Sequence, residues 1–138
     1  MTDYFHMEMT DQEIGAISNL GLAHLGDAVY ELLIRAWLCE RGKATAKGLH
    51  RAAVGYVSAP AQAAAAARLL PHLSEFERAV YRRGRNARVG TIPQSASIEE
   101  YHAATGLEAL FGYLYLRGET GRIHALFALI MGGPSDAA

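Results

Sequence analysis

The sequence predicts an all-α protein that folds as a single compact bundle of about seven helices. Segments with helical periodicity are rich in Ala, Leu, Glu and Arg, and strand signals are poor. A chain of 138 residues suits one domain, 1–138, better than two. Three Ser or Thr residues also stand three positions before a Glu, which is the spacing of a capping box at a helix start: Thr10 with Glu13, Ser74 with Glu77, and Ser97 with Glu100.

Each predicted helix is bounded by a cap, a glycine or a proline. The helices follow in this order: a short one after Thr10, then 20–40 before Gly42, 44–56, a helix between Ser58 and Pro71, 76–83, 98–116 closed by Gly118, and 119–131. The segment 84–96 contains two glycines and a proline and has no periodicity, so we predict a loop there. We expect the tails 1–10 and 132–138 to fray.

The composition favours a globular domain, with 51% hydrophobic and 20% charged residues. No apolar stretch reaches the roughly 18 uncharged residues of a membrane helix, so we expect no membrane partner. The acidic N-terminus does not resemble a secretory signal. The single cysteine, Cys39, excludes an internal disulfide and suits a cytoplasmic location.

The net charge of −1 conceals an uneven distribution of charge. Ten of the thirteen Lys and Arg residues lie between Arg41 and Arg88, together with two of the fourteen acids, Glu75 and Glu77. A basic segment of this kind indicates either a polyanionic partner or a solvated basic surface.

Two acids stand in otherwise apolar helices. Asp27 lies within "LGLAHLGDAVYELLI", and Glu108 is the one charged residue of "AATGLEALFGYLYL". A carboxylate in an apolar environment must be neutralised, paired or bound to a metal. Both helices carry glycines, which would let them cross closely and bring the two acids together: Gly21 and Gly26 in the first, Gly106 and Gly112 in the second.

Two adjacent carboxylates repel each other unless a cation lies between them. Oxygen ligands favour a hard cation such as Mg²⁺, with Mn²⁺ as a substitute, whereas no His/Cys cluster suggests zinc. The alternative is that the two acids are structural, at helix ends or paired with Arg35 or His24.

The sequence resembles the ribonuclease III endonuclease domain, over about residues 20–129. "LAHLGDAVYE" (22–31) is similar to the signature helix of that family, and "TGLEALFGYLYLRG" (105–118) to its second acidic helix. Between them, "YVSAPAQA" (56–63) and "YRRGRNARVGTIP" (81–93) resemble the shorter subfamily called mini ribonuclease III.

This resemblance implies the ribonuclease III endonuclease-domain fold and a homodimer that cleaves double-stranded RNA with Mg²⁺. It implies products with a 5′-phosphate and a 3′-hydroxyl. Members of the subfamily are associated with trimming precursor 23S ribosomal RNA, so we expect that substrate, with a ribosomal protein as a potential assistant. We also expect no separate double-stranded-RNA-binding domain in this chain.

The resemblance assigns catalysis and metal binding to Asp27 and Glu108. Two further carboxylates of the larger family members are missing, because Ala23 and Thr105 stand at their positions. The metal site would therefore be completed by water and phosphate. These losses leave a rival hypothesis, a non-catalytic dimeric module that binds double-stranded RNA; a purely structural helical dimer is the third.

The RNA-binding candidates lie in the basic segment, since arginine suits bidentate phosphate contacts and duplex RNA is bound largely through its backbone. They are Arg82, Arg83, Arg85, Asn86, Arg88, Lys47 and Arg51.

Four residues have predicted supporting roles. Glu31, one turn after Asp27, orients a water, pairs with an arginine or has no chemical role. Ser58 and Gln62 contact the RNA backbone or fix a helix start, and we favour the cap for Ser58. The resemblance places His24 in the dimer interface, in preference to general-base catalysis.

Overall fold

The computed structural model describes residues 1–87 and 97–132, and within these ranges it contains seven α-helices and no strand. The helices are α1 (Asp11–Ile14), α2 (Asn19–Glu40), α3 (Ala46–Val57), α4 (Ala59–Leu69), α5 (Glu75–Ala87), α6 (Ile98–Arg117) and α7 (Thr120–Ile130). A short 3₁₀ turn, Leu70–His72, follows α4 and contains Pro71. The all-α prediction is confirmed. None of the described helices is long and apolar enough to cross a membrane.

The helix starts follow the predicted caps. At Thr10 and Ser97, the hydroxyl accepts from the backbone N–H three residues on, while the Glu at that position accepts from the cap's own N–H. Ser74 and Glu77 make the same reciprocal pair, at 3.1 and 2.9 Å. Gly118 ends α6 in the left-handed conformation, with φ of 79°, which glycine adopts without strain.

Helix α6 runs through the centre of the bundle. It packs against α2, α4 and α5, and Leu110 and Phe111 are completely buried. The ring of Tyr30 in α2 meets Phe111 edge-to-face, with centroids 5.3 Å apart. A helix that is apolar on most sides needs such cover on most sides, and this explains why "AATGLEALFGYLYL" is so poor in charge.

Helices α2 and α6 cross at unusually short range. A Cβ atom on Gly26 would overlap the backbone carbonyl of Glu108, and one on Gly112 would overlap the carbonyl of Leu22. The predicted close crossing is therefore confirmed for Gly26 and Gly112. Gly106 instead packs against Tyr81 of α5, and Gly21 faces the start of its own helix.

The prediction of a loop from residue 84 is wrong at its start. Helix α5 continues through Gly84 to Ala87. Gly84 packs on α6, where an added Cβ would lie 2.5 Å from the Cβ of Ala109. The helix tolerates this glycine because close packing offsets its low helix propensity. The remainder of the predicted loop, 88–96, lies outside the described residues, as does 133–138 of the predicted C-terminal tail.

The chain before α1 follows the end of α6. The N–H of Met9 donates to the carbonyl of Leu116 at 2.9 Å, and the guanidinium of Arg117 donates to the Met9 carbonyl at 3.1 Å. Fraying of 1–10 in solution stays a prediction. The two bonds at Met9 mark where the N-terminal segment joins the helical bundle.

A partly buried ion pair ties α5 to α7. Arg122 donates to both carboxylate oxygens of Glu77, at 2.8 and 2.9 Å, and also to the carbonyl of His72. Hydrogen bonding to Arg122 lowers the pKa of the Glu77 carboxyl below its ordinary value, and the Ser74 N–H contributes in the same direction. Glu77 is only 8% exposed, so its carboxylate is part of the packing between the two helices.

Candidate active site at the crossing of α2 and α6

Asp27 and Glu108 line one pocket of about 290 Å³. The other lining residues come from the end of α3, the start of α4 and the first half of α6; they are Val57, Ala59, Gln62, Tyr101, Ala104 and Thr105. The expectation that the crossing brings the two acids to one place is confirmed.

The close crossing explains how acids so far apart in sequence share a pocket. Gly26 lies against the backbone of Glu108, so the next residue of α2, Asp27, is held beside the same turn of α6. A larger side chain at Gly26 would force the two backbones apart and separate the carboxylates. The glycine therefore sets the geometry of the pocket.

The environments of the two acids differ from what the sequence predicted. Asp27 is exposed, so the premise that it occupies a core position is wrong, whereas Glu108 is half-buried. The alternative in which Asp27 pairs with Arg35 is also wrong, because Arg35 donates to Glu31 at 2.7 Å. Within 1–87 and 97–132, Asp27 has no ion-pair partner.

The donor set suits a hard cation. No group of three or more His, Cys, Asp or Glu side chains that could hold a metal exists in the described part of the chain. The pocket thus offers two carboxylates, and Mg²⁺ is commonly bound by one or two carboxylates with water and substrate phosphate completing its shell. Two like charges in one pocket are themselves a reason to bind a cation.

Ala23 and Thr105, which stand where the larger family members carry carboxylates, have different surroundings. Ala23 is 2% exposed and packs in a small apolar cluster with Ile14, Leu22 and Ala109. Thr105 lines the pocket, and its hydroxyl donates to the carbonyl of Tyr101 at 3.0 Å. Of the two substitutions, the one at Thr105 therefore changes the wall of the pocket itself.

Ser58 and Gln62 both lie at the start of α4, yet they have different contacts. The Ser58 hydroxyl accepts from the N–H of Ala61 at 3.4 Å, as a helix cap does. Gln62 is 2% exposed, too buried for the predicted surface contact with RNA, and its amide donates to Glu108 at 3.3 Å. Nothing in the sequence signals this contact, because the two residues are 46 positions apart.

Glu31 and His24 lie away from the pocket. Glu31 pairs with Arg35 and, with His50, lines a separate pocket between α2 and α3. Of the three roles considered for Glu31, pairing with an arginine is the one that the structure shows. His24 is exposed on α2, and its role in a dimer interface stays a prediction.

The basic candidates form two exposed groups on the described surface. Arg82, Arg83, Arg85 and Asn86 are exposed at the end of α5. Gly84, in their midst, packs against Thr105 and Ala109 of α6, so this group adjoins the turn that carries Glu108. Lys47 and Arg51 are exposed on α3. Arg88 lies outside the described residues.

Tyr101 and Ala104 line the pocket, although neither of them was predicted from the sequence to have a role at the site. Their spacing from Glu108 in the sequence could have identified them as neighbours of that carboxylate. Positions 101, 104, 105 and 108 recur every three or four residues and therefore share one face of a helix.

Comparison with known proteins identifies the family to which the chain is similar. Residues 20–119 match the family model described as Ribonuclease III domain. A Mini-ribonuclease 3 from Symbiobacterium thermophilum is 53% identical over 104 residues, covering 75% of this chain and 80% of that protein. A Mini-ribonuclease 3 from a Thermoanaerobacter species is 41% identical over 121 residues, covering 88% of this chain and 85% of its own length.

A solved structure has the same fold. The crystal structure of a protein from Fusobacterium nucleatum superposes with a TM-score of 0.79 at 30% identity, covering 87% of this chain and 96% of that one. The chain belongs to the ribonuclease III family, in its mini-ribonuclease III branch, and is an endoribonuclease that acts on double-stranded RNA.

Proposed function

We propose that the chain is a Mg²⁺-dependent endoribonuclease that trims the ends of precursor 23S ribosomal RNA in the cytoplasm. The observation that carries the metal-dependent chemistry is the shared pocket of Asp27 and Glu108 at the crossing of α2 and α6. The choice of ribosomal RNA rests on the likeness to the mini-ribonuclease III branch, as does the potential assistance of a ribosomal protein.

Asp27 and Glu108 are the proposed holders of the cation, with Mn²⁺ able to replace Mg²⁺. When bound, such a cation lowers the pKa of a coordinated water and stabilises negative charge on the phosphate. The carboxylates supply two negative charges and place that chemistry in the pocket. Hydrolysis at this site would leave a 5′-phosphate and a 3′-hydroxyl.

The exposed arginines beside the pocket support a role in holding the duplex. Arg82, Arg83 and Arg85 project from the end of α5 next to the α6 turn that carries Glu108. Guanidinium groups bind phosphates through paired hydrogen bonds, and duplex RNA presents mainly phosphates and 2′-hydroxyls. Lys47 and Arg51 on α3, Asn86 on α5 and Arg88 are further candidates for the same track.

The exposed face of α2 supports a homodimer. Leu20 is 40% exposed and Leu32 57% exposed, and with His24 and Ala28 they follow one another at intervals of four residues. An apolar stripe of this kind is a candidate interface between subunits. A two-fold dimer would carry two carboxylate pockets, one for each strand of the duplex.

The decisive experiment compares wild type with Asp27→Asn on structured precursor RNA, with Mg²⁺ and with a chelator. We expect cleavage by wild type with Mg²⁺ alone, and a loss of more than about a hundredfold in the variant, since even groups behind a metal ligand contribute up to that much. The variant should retain the wild-type Tm, because Asp27 is exposed and has no ion-pair partner in the described part of the chain.

RNA binding in the presence of the chelator provides the control. Both proteins should bind the duplex equally, which would show that the variant has lost chemistry and not substrate. Wild type that binds duplex RNA but never cleaves it would favour the non-catalytic module. Cleavage that persists in Asp27→Asn would remove this carboxylate from the mechanism.

A further inference from the structure

Gln62 is a polar side chain at a position where α4 otherwise presents small and apolar residues to the core. It shares one face of the helix with Ala65, Ala66 and Leu69, and all four are buried. The periodicity predicts an apolar residue at position 62, since that position begins the buried stripe. The amide is therefore an exception to the pattern of its own helix.

The orientation of the Gln62 amide follows from its two acceptors. Its Nε2 donates to the carbonyl oxygen of Val57 at 2.9 Å and to Oε2 of Glu108 at 3.3 Å. The reversed amide would place its own oxygen against a carbonyl and a carboxylate, neither of which can donate to it. Both N–H groups are thus directed at acceptors, and one of those acceptors is a proposed metal ligand.

The other end of the amide has no matching contact. Oε1 of Gln62 is buried and has no hydrogen-bond partner among the described residues. A buried acceptor without a partner destabilises the folded state. Methionine would fill nearly the same volume without that cost, so packing alone does not account for a glutamine here. What the amide adds is its pair of hydrogen bonds.

The neutrality of the donor fits a cation site. An arginine in this place would neutralise Glu108, as Arg122 neutralises Glu77 near the start of α5. An amide fixes a carboxylate oxygen and leaves the charge of the carboxylate intact. With two carboxylates in the pocket, that charge is needed for a divalent cation.

We propose that Gln62 is a positioning residue for the metal site: it anchors the Glu108 carboxylate to the end of α3 through the carbonyl of Val57. This inference rests on the proposed function, because it takes Glu108 as a metal ligand. Groups that orient metal ligands typically contribute 10- to 100-fold to metal affinity.

The test measures metal binding by RNA-free protein. Calorimetric titration with Mg²⁺ and with Mn²⁺ is compared for wild type, Gln62→Met and Asp27→Asn, alongside the Tm of each. We expect Gln62→Met to bind about 10- to 100-fold more weakly, because it loses the hydrogen bond to Glu108. Its Tm should stay close to wild type, since the loss of the bonds to Val57 and Glu108 is offset by removal of the buried, unpartnered oxygen. Its binding of duplex RNA in the presence of a chelator should be unchanged.

Arg68→Met is the matched control on the same helix. Arg68 ties α4 to α7 by donating to the carbonyl of Ile130, and it does not line the carboxylate pocket. This variant should lower the Tm and leave metal affinity unchanged, which separates general loosening of α4 from loss of the contact with Glu108.

Metal affinity within twofold of wild type in Gln62→Met, with binding lost in Asp27→Asn, would overturn the role of Gln62 and leave the proposed function standing. No saturable metal binding by wild type would overturn both. If Gln62→Met does not fold, Gln62→Asn takes its place: it keeps the amide but is one methylene shorter, so it too should bind metal about tenfold more weakly or worse.

Discussion

Acidic residues meet the core in two regions of this molecule, with opposite outcomes. At the contact of α5 and α7, Glu77 is almost buried and fully engaged by Arg122, with both carboxylate oxygens bonded. At the crossing of α2 and α6, Asp27 and Glu108 share a pocket, and the donor that reaches Glu108 from α4 is a neutral amide. In the first arrangement an arginine pairs with the carboxylate, whereas in the second α4 gives Glu108 a hydrogen bond that carries no charge.

The same contrast appears among the arginines. Arg122 forms an ion pair with Glu77 and donates a hydrogen bond to the carbonyl of His72. Arg85, near the opposite end of α5, donates a long hydrogen bond of 3.4 Å to the side chain of the neighbouring Asn86. Helix α5 therefore has a structural end at Glu77 and an exposed basic end next to the α6 turn that carries Glu108.

The largest expected effect comes from the crossing itself. Gly26→Ala places a Cβ on the backbone carbonyl of Glu108, where no flexible side chain can yield. We expect α2 and α6 to separate, with cleavage reduced more than tenfold and a loss of about 1–3 kcal/mol in the free energy of unfolding. Urea unfolding and initial cleavage rates on duplex RNA measure the two effects.

Gly55→Ala is the control for this substitution. Gly55 lies in α3, and an added Cβ there meets nothing within 4 Å. It should stabilise the protein by up to about 1 kcal/mol through helix propensity and leave cleavage unchanged. If Gly26→Ala behaves like Gly55→Ala, the close approach does not set the geometry of the pocket.

Removal of the ion pair between Glu77 and Arg122 should have an intermediate effect on stability and no effect on the cleavage rate. Glu77→Gln removes the charge opposite Arg122, and we expect a loss of about 1–2 kcal/mol and a Tm lower by several degrees. The cleavage rate of the folded variant should equal that of wild type. Glu75→Gln, an exposed acid in the same helical turn, should change neither quantity.

The effect of Glu77 should also depend on pH in one direction. Arg122 lowers the pKa of Glu77 in the folded state below the ordinary value of 4.5, so its stabilisation is complete above that pH and is lost as the pH falls through the folded pKa. Wild type should therefore lose more Tm than Glu77→Gln between pH 6 and about pH 3. Parallel curves for the two proteins would contradict a stabilising pair.

The smallest effect is expected at the basic end of α5. Arg85→Ala should weaken duplex binding moderately and reduce the slope of log affinity against log salt by about 1, with the Tm unchanged. Arg41→Ala, which removes an exposed arginine stacked on Trp37, is the control of equal charge. An unaltered salt slope in Arg85→Ala would take this residue out of the contact with RNA.

Much of the fold could be predicted from local signals. The capping boxes at Thr10, Ser74 and Ser97 and the glycine at 118 mark helix ends because they satisfy backbone groups within a few residues of themselves. Gly84 led to the wrong prediction of a loop start, since the residue it packs against, Ala109 of α6, is 25 positions away in the chain. A glycine chosen for packing cannot be distinguished from a helix breaker by its neighbours alone.

The candidate site divides in the same way. The two acids were found because each is conspicuous in an apolar helix, and their meeting was inferred from the glycines around them. The pairing of Glu31 with Arg35, one turn later in α2, was among the alternatives considered for Glu31. The burial of Gln62 and its bond to Glu108 could not be inferred. Each depends on which face of a helix points where, and spacing along the chain does not fix that.

The sequence by itself determined the helices, their caps, the pair of acids and the basic segment, because these follow from periodicity, local hydrogen bonding and composition. Tertiary structure alone decided that Gly26 and Gly112 bring two backbones into contact, that the neutral amide of Gln62 reaches Glu108, and that Arg122 pairs with Glu77. The physical reason is that neutralisation of a charge depends on the atoms within a few ångströms, and these come from distant parts of the chain.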